Sequence, residues 1–217
     1  VIALNSYYAH CYYKKDIKSN LILVESKNGG DLAGNMFHIL REVTSDSYKD
    51  YKVILSCTAK KKQEIKDRLD KYQISNYTFV ETNTYEYYKI LATAKYLFTD
   101  TTFTRTYLKK EGQIITNTWH GTPLKYMGRD VVDRAYAMGN VQRNLLYADY
   151  LVYPNEYMKE KMVSAYELDK AYQGTILNEG YPRNSVFFDK NAGSSIRKEL
   201  GIEDKKIFIY MPTWRGT

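Results

Sequence analysis

Eight short apolar segments, rich in β-branched residues, alternate along the chain with longer segments of helical pattern. The apolar segments are LILVES (21–26), YKVILSC (51–57), YTFVET (77–82), KYLFTD (95–100), GQIITNT (112–118), DYLVYP (149–154), GTILNEG (174–180) and KIFIYMP (206–212). Because they are apolar throughout rather than at every second residue, they indicate a sheet that is covered on both faces. Regular alternation with helices favours βαβ units. The sequence therefore predicts an α/β fold with a Rossmann-like parallel sheet and helices on both faces.

The segments between these strands carry the helical pattern. They are NMFHILREV (35–43), KKKQEIKDRLDKY (60–72), TYEYYKILATA (84–94), TFTRTYLKK (102–110), VQRNLLYA (141–148) and NEYMKEKMVSAY (155–166). The segment 60–72 mixes charges of both signs, with Ile65 and Leu69 four residues apart. That spacing is typical of a solvated amphipathic helix rather than of a nucleic-acid-binding patch.

One domain boundary is visible in the sequence. GYPRNSVFFDKNAGSS (180–195) combines Pro, Gly, Asn and Ser, as linkers do. Beyond it, IRKELGI is typical of a helix and KKIFIYMPTWRGT of a strand that ends in a loop. We therefore expect an N-terminal helical segment (1–20), a Rossmann-like domain (21–185), and a linker with the start of a truncated second Rossmann-like domain (186–217).

Charge and composition narrow the class of protein. The 217 residues include 32 Lys and Arg against 25 Asp and Glu, a formal charge of +7. This excess favours an anionic partner such as nucleic acid, acidic lipid headgroups or a phosphate-rich substrate, although a merely solvated basic surface explains it equally well. Cys11 and Cys57 lie far apart in sequence and belong to no ligand-spaced cluster, so a reducing cytoplasm fits best. No segment approaches the roughly 20 apolar residues that cross a bilayer, and no signal peptide is recognisable.

One histidine lies in a distinctive setting, within NTWHGTPLKYMG (117–128). His120 follows a predicted strand, where ligands bind in open α/β sheets. We expect Pro123 to begin a helix with Thr122 as its N-cap, and Gly121 to permit a tight turn. The amides of such a helix N-terminus bind phosphate, and Lys125 and Arg129 would add positive charge.

His120 is thus a candidate catalytic base beside an anion site, with a structural, hydrogen-bonded histidine as the alternative. His10 and His38 lack comparable surroundings. None of the three histidines has a His or Cys at metal-ligand spacing, so we predict no metal site.

A second glycine-rich loop, SKNGGDLAGN (26–35), also follows a predicted strand and borders the same cleft in this interpretation. It has neither the G-x-G-x-x-G spacing of a dinucleotide site nor that of a phosphate-binding P-loop. A plain surface turn is the alternative interpretation.

Several motifs together resemble a known family. NTWHGTPLKYMGRD, YPNEYMKEKM, NEGYPRN, YMPTWRGT and VESKNGGDLAGN occur here in the order found in the CDP-glycerol glycerophosphotransferases, the teichoic acid primases and polymerases. The similarity runs from about Leu21 to the C-terminus. It implies a GT-B architecture, with an N-terminal domain for a lipid-linked polyol-phosphate acceptor and a C-terminal domain for CDP-glycerol or CDP-ribitol. It also implies transfer of polyol phosphate to an acceptor hydroxyl, with CMP leaving, at the cytoplasmic face of the plasma membrane.

The resemblance also implies roles for individual residues. His120 matches the proposed general base of the family, and an imidazole near neutrality can accept a hydroxyl proton. Substrate binding is implied for residues in or near the matching motifs, namely Asn28, Gly29, Trp119, Gly121, Thr122, Pro123, Lys125, Arg129, Arg183 and Arg215. No tightly bound cofactor is implied, and the need for a divalent cation is left open. The second histidine of the family and its cytidine-binding loops belong to the C-terminal domain, so we expect these 217 residues alone to have little or no transferase activity.

Two other functions remain open from the sequence. One is a GT-B glycosyltransferase that uses a nucleotide sugar for a wall or capsule polymer. The other is a non-catalytic basic module that docks on an anionic membrane. Nucleic-acid binding is not expected, because the chain has no recognisable RNA- or DNA-reading pattern.

Overall fold

A computed structural model describes residues 2–133 and 135–211. The chain divides into two compact units, Val1–Arg183 and Asn184–Thr217. The first unit holds the whole sheet. The second contains, after a 3₁₀ helix that spans Pro182–Phe188, a single α-helix among its described residues.

The strands of the first unit are β1 (Lys18–Glu25), β2 (Lys52–Cys57), β3 (Tyr77–Glu81), β4 (Ala94–Thr99), β5 (Ile114–Asn117), β6 (Tyr150–Val152) and β7 (Thr175–Leu177). The helices are α1 (Ile2–Lys14), α2 (Gly34–Val43), α3 (Lys62–Lys71), α4 (Tyr85–Thr93), α5 (Gly139–Tyr147), α6 (Glu156–Ala165) and, in the second unit, α7 (Ala192–Glu199).

The seven strands form one sheet in the order β3-β2-β1-β4-β5-β6-β7, and every neighbouring pair is parallel. The chain builds outward from β1 to β3, then returns to the middle and builds in the other direction from β4. Loops that leave β1 and β4 therefore diverge to opposite faces and open a crevice at the carboxyl ends of these strands, the switch point of a doubly wound sheet.

Apolar side chains cover both faces of the sheet. Along β1, Leu21 and Leu23 belong to one buried cluster, whereas Ile22 and Val24 belong to another. The first cluster includes buried residues of α1, α4, α5 and α6, and the second includes those of α2 and α3. The predicted fold class, a Rossmann-like parallel sheet with helices on both faces, is confirmed.

The helix predicted at 102–110 is wrong, because these residues form an irregular segment. Side chains of α5 form hydrogen bonds with backbone groups of this segment that a helix would have paired with one another. Phe103 N donates to Asn144 Oδ1 at 2.8 Å, and the guanidinium of Arg143 donates to the carbonyl oxygens of Thr104 and Tyr107. Phe103 and Tyr107 are buried. The apolar spacing that suggested a helix therefore arises because these two side chains are buried in the core.

The strand predicted at 206–212 is also wrong over its described part, since 206–211 have no regular structure. A strand needs a neighbour for its backbone hydrogen bonds, and the described residues of the second unit contain no other strand. Pro212 lies outside the described residues. The predicted division into 1–20, 21–185 and 186–217 stays a prediction; β1 begins at Lys18, inside the first of these segments.

A carboxyl group is buried at the end of β1. Glu25 is 1% exposed, and its Oε2 accepts a hydrogen bond from Ser56 Oγ of β2 at 2.9 Å. Burial raises the pKa of Glu25 from 4.5 to about 7, although hydrogen bonds from Tyr87 and Ser56 oppose the shift. Because the folded state binds this proton more tightly than the unfolded state does, the free energy of unfolding falls as pH rises from about 4.5 to 7.

We predict that Glu25→Gln removes this pH-dependent destabilisation while Gln keeps an oxygen acceptor for Ser56. Between pH 4 and 8, the wild type should lose about 3 kcal/mol of stability relative to the variant, as a pKa raised from 4.5 to about 7 requires. Urea unfolding at a series of pH values measures this difference, with the exposed Glu42→Gln as the control. Parallel pH profiles for wild type and Glu25→Gln would contradict it.

Close packing fixes a glycine where the chain crosses α6. Gly128 has φ +55°, and a Cβ there would lie 2.8 Å from the carbonyl carbon of Ala165 and closer still to its oxygen. We predict that Gly128→Ala lowers the free energy of unfolding by about 2–4 kcal/mol, from left-handed backbone strain and overpacking together. Gly139→Ala is the matched control, because a Cβ at Gly139 meets nothing within 4 Å. Equal denaturation midpoints for the two variants would refute the prediction.

Candidate active site

The site lies in the crevice at the carboxyl ends of β1, β4 and β5. The loop after β1 begins at Ser26, the loop after β4 at Asp100, and the loop after β5 at Thr118. Two hydrogen bonds join the last two loops: Thr118 N donates to Thr99 O at 3.1 Å, and the side-chain Nδ2 of Asn117 donates to Thr101 O at 2.8 Å. The loops after β4 and β5 are therefore directly connected.

His120 is exposed at this surface, and one hydrogen bond orients its ring. Its Nδ1 lies 2.9 Å from the carbonyl oxygen of Asp100. Because a carbonyl oxygen only accepts, Nδ1 carries the proton in this contact. In the neutral imidazole, Nε2 is then unprotonated and available as a base.

The residue before His120 has a strained backbone. Trp119 has φ +53°, a left-handed conformation that bulky residues rarely adopt. Its indole is 6% exposed and stacks on the His120 ring, with centroids 4.5 Å apart. Asn117 Oδ1 accepts from Trp119 N at 2.8 Å, and Thr118 Oγ1 donates to Trp119 O at 2.8 Å. This turn sends the indole into the core and leaves the imidazole exposed.

The carboxylate of Asp100 connects the loops of β1 and β4. It accepts from Ser26 Oγ at 2.7 Å and from Lys27 N at 2.9 Å. Burial raises the pKa of Asp100 above its ordinary value, while these two hydrogen bonds and the neighbouring His120 oppose the shift. Asp100 thus contacts the β1 loop through its side chain and His120 through its backbone.

Arg183 brings a cation to His120 from 63 positions further along the chain. Its Nη1 donates to the carbonyl oxygen of His120 at 3.0 Å, and its guanidinium lies 4.7 Å from the ring centroid of Tyr181. The backbone N of Arg183 donates to Asn35 Oδ1 at 3.3 Å, at the start of α2. The structure therefore brings Arg183 next to His120, and substrate binding by Arg183 stays a prediction.

Two candidates in the β1 loop make structural contacts. Asn28 donates from Nδ2 to Thr102 O at 2.8 Å, a second connection to the loop of β4. Gly29 is buried, and a Cβ there would lie 2.6 Å from Thr82 Cγ2. Only glycine fits at this position, because the backbone packs closely against the ends of β2 and β3.

The helix predicted to begin at Pro123 is wrong. Residues 121–127 are irregular, and the next α-helix, α5, begins at Gly139. The Thr122 hydroxyl does not cap a helix; it lies 4.0 Å from Met158 Sδ, as the segment packs along α6. The phosphate site expected from a helix N-terminus at this position therefore does not exist.

The two predicted cations after His120 differ in their contacts to α6. Arg129 Nη1 lies 3.0 Å from Glu167 Oε1, and its Nη2 lies 3.4 Å from Ser164 Oγ, so this cation attaches the segment to the end of α6. Lys125 is exposed. A Cβ on Gly121 would meet nothing within 4 Å, so the turn leaves open space beside His120.

A cleft of about 590 Å³ lies between this segment and α6. It is lined by Pro123, Leu124, Lys125, Tyr126, Met127, Asp130, Tyr157, Lys161 and Ala165. Within the described residues, no carboxylate lies within 4.0 Å of the ammonium group of Lys125 or Lys161. Two lysines against one aspartate make this a basic cleft, two tyrosines add partly apolar surface, and the lining starts three residues from His120.

Sequence reasoning missed Ser26, Asp100 and Lys161. Ser26 and Asp100 are the last residues of the segments LILVES and KYLFTD, and polar residues that end adjacent parallel strands were the signal that could have found them. Lys161 lies in a mixed-charge helix and gave no distinguishing signal.

The remaining predictions concern Arg215 and metals. Arg215 lies outside the described residues. Across 2–133 and 135–211, no three His, Cys, Asp or Glu side chains are grouped as metal ligands. In the same residues, no helix is both long and apolar enough to cross a membrane.

The sequence as a whole is similar to a known family. The profile of the CDP-glycerol:poly(glycerophosphate) glycerophosphotransferases matches residues 7–217. The teichoic acid poly(glycerol phosphate) polymerase of Bacillus spizizenii is 33% identical over 210 residues, which cover 90% of this chain and 50% of that protein. The enzyme of the same name from Staphylococcus epidermidis is 32% identical over 213 residues, 92% of this chain and 28% of that protein. The chain thus spans half or less of the length of these relatives.

Solved structures agree with this relationship. A variant of the wall teichoic acid polymerase TagF soaked with CDPG superposes with a TM-score of 0.79 at 29% identity, over 98% of this chain and 52% of that one. Unsubstituted TagF superposes with a TM-score of 0.77 at 26% identity, over the same shares of the two chains. The parallel sheet, the strand-end histidine and the profile match along almost the entire chain lead to one conclusion: this chain belongs to the CDP-glycerol glycerophosphotransferase family.

Proposed function

We propose that this chain supplies the acceptor and general-base half of an enzyme that transfers glycerol phosphate from CDP-glycerol to a lipid-linked acceptor in teichoic acid synthesis. The observation that carries the proposal is the orientation of His120, whose Nδ1 is engaged by Asp100 O while the ring stays exposed. A base must present a free nitrogen to the attacking hydroxyl, and Nε2 meets this requirement.

The chemistry uses groups already close together. His120 Nε2 takes the proton of the acceptor hydroxyl, whose oxygen forms a bond to the phosphorus of the glycerol phosphate. The bond between this phosphorus and the bridging oxygen of CDP breaks, and CMP leaves. Arg183 contacts the backbone of His120, which supports a role for its positive charge in stabilising the transferred phosphoryl group.

The basic cleft is the proposed site of the acceptor. A lipid-linked polyol-phosphate acceptor is anionic along its polar portion and apolar at its anchor. Lys125 and Lys161 would attract its phosphates, and Tyr126 and Tyr157 would contact its less polar atoms. The volume of about 590 Å³ is in the ordinary range of ligand sites.

The relatives support the proposed donor, and the charge of the chain supports the proposed location. TagF was soaked with CDPG, which supports CDP-glycerol as the donor here, with CDP-ribitol as the alternative polyol. The second Rossmann-like domain of a GT-B enzyme would hold it. A net charge of +7 suits attachment to an anionic membrane surface, which we place at the cytoplasmic face. No tightly bound cofactor is proposed.

We predict that His120→Ala lowers CMP release from CDP-glycerol by about 10²–10⁴-fold in the native-length protein with a lipid-linked acceptor, because the hydroxyl loses its base. Thermal unfolding should change little, since the His120 side chain is exposed. His38→Ala is the control, because His38 lies on α2 and contacts Arg41. Equal rates for wild type and His120→Ala would remove His120 from the reaction.

We predict that Lys161→Ala raises the KM for the acceptor about 2–5-fold, the effect of losing one exposed ion pair, while the KM for CDP-glycerol is unchanged. The increase should shrink at high ionic strength, where salt screens the same attraction. Lys159→Ala is the matched control on the same helix, because Lys159 pairs with Glu156 at 2.8 Å. An unchanged acceptor KM in Lys161→Ala would move the acceptor to another surface.

A further inference from the structure

We propose that Asp100 is the positioning residue of His120: its buried carboxylate fixes the loop whose carbonyl group selects the Nδ1–H tautomer and turns Nε2 outward. The catalytic consequence rests on the proposed function, whereas the tautomer itself does not. Neither the sequence motifs nor the comparisons assign a role to Asp100.

The carboxylate of Asp100 is held firmly by the β1 loop. Asp100 is 3% exposed, and each of its two oxygens accepts one hydrogen bond from the β1 loop. The donor backbone is itself constrained, since Lys27 and Asn28 have φ values of +46° and +56°. Both ends of this connection are therefore fixed in the structure.

The anchored side chain of Asp100 positions the histidine through the backbone of the same residue. The backbone oxygen of Asp100 belongs to the same residue as the anchored carboxylate, so fixing one limits movement of the other. This oxygen lies 2.9 Å from His120 Nδ1. These contacts run from Ser26 through Asp100 to His120 and thereby join the carboxyl ends of β1, β4 and β5.

The tautomer of His120 depends on the backbone oxygen of Asp100. With the proton on Nε2, the lone pair of Nδ1 would face the lone pairs of the carbonyl oxygen, which is repulsive. The ring would then have to rotate away from its stack on Trp119 or leave a polar contact unmade. A fixed carbonyl therefore selects both the ring orientation and the nitrogen that stays free.

The chain offers variants that separate geometry from charge. Asp100→Asn keeps one acceptor for Lys27 N and a donor for Ser26 Oγ, so it can preserve both contacts without the charge. Asp100→Ala removes both contacts. Ser26→Ala removes one contact at a distance from the histidine and serves as the milder variant if Asp100→Ala fails to fold.

The decisive experiment is ¹⁵N NMR of the imidazole nitrogens of His120 in the protein, at a pH where the ring is neutral. Assignment uses the spectrum of His120→Ala. The expected result is a proton on Nδ1 in wild type and Asp100→Asn, and a shift toward Nε2–H in Asp100→Ala and in Ser26→Ala. A proton on Nε2 in wild type would overturn the proposal, as would the same tautomer in wild type, Asp100→Ala and Ser26→Ala; where Asp100→Ala does not fold, Ser26→Ala alone decides.

Turnover tests the catalytic consequence separately. In the native-length protein, Asp100→Ala should lower kcat about 10²-fold with little change in the KM for either substrate, the scale of a misplaced reacting group. In the His120→Ala background, Asp100→Ala should have no further effect, because it acts through the histidine. Additive losses in this double-mutant cycle would overturn the positioning role. If His120→Ala itself retains full activity, the proposed base fails while the NMR result on the tautomer still stands.

Discussion

The parallel pairing of β1 with β4 is the constraint on which the rest of the site depends. It brings together two loops that leave the sheet toward opposite faces, and the crevice between them contains backbone groups without strand partners. Such groups need hydrogen-bond partners when they are buried. Asp100 accepts from the backbone N of Lys27, Asn28 donates to the backbone oxygen of Thr102, and Ser26 adds a side-chain bond to Asp100. The polar residues of the crevice therefore stabilise the fold, and the same bonds position the proposed catalytic base.

Sheet and helices could be predicted because burial on both faces produces a direct sequence pattern. The seven strands of the first unit fall within or overlap the apolar segments, and the position of His120 at a strand end follows from the same pattern. Local propensity failed at 102–110 and at Pro123, where tertiary contacts decide the conformation. Arg143 and Asn144 form hydrogen bonds with backbone groups of the first segment, and the second segment packs against α6. Neither contact leaves a periodic trace in sequence.

The histidine tautomer and the role of Asp100 could not be predicted from the sequence, for a different reason. Both depend on which atom of a residue, side chain or backbone, faces a neighbour that is 20 positions away. A sequence gives residue types and spacing, and strand order had to be known before the ends of β1, β4 and β5 could be placed together. Likewise, Arg129 carries the right charge for a phosphate but is paired with Glu167.

The segment after His120 is fixed at both ends and exposed between them. At one end, the strained Trp119 is buried; at the other, Gly128 packs against the backbone of α6 and Arg129 pairs with Glu167. Leu124 and Tyr126 between these points are 92% and 83% exposed. Substitutions in this middle stretch can therefore change its contact surface, charge or polarity without displacing the imidazole. In the proposed function, acceptor binding and proton transfer are therefore assigned to separable parts of one short loop.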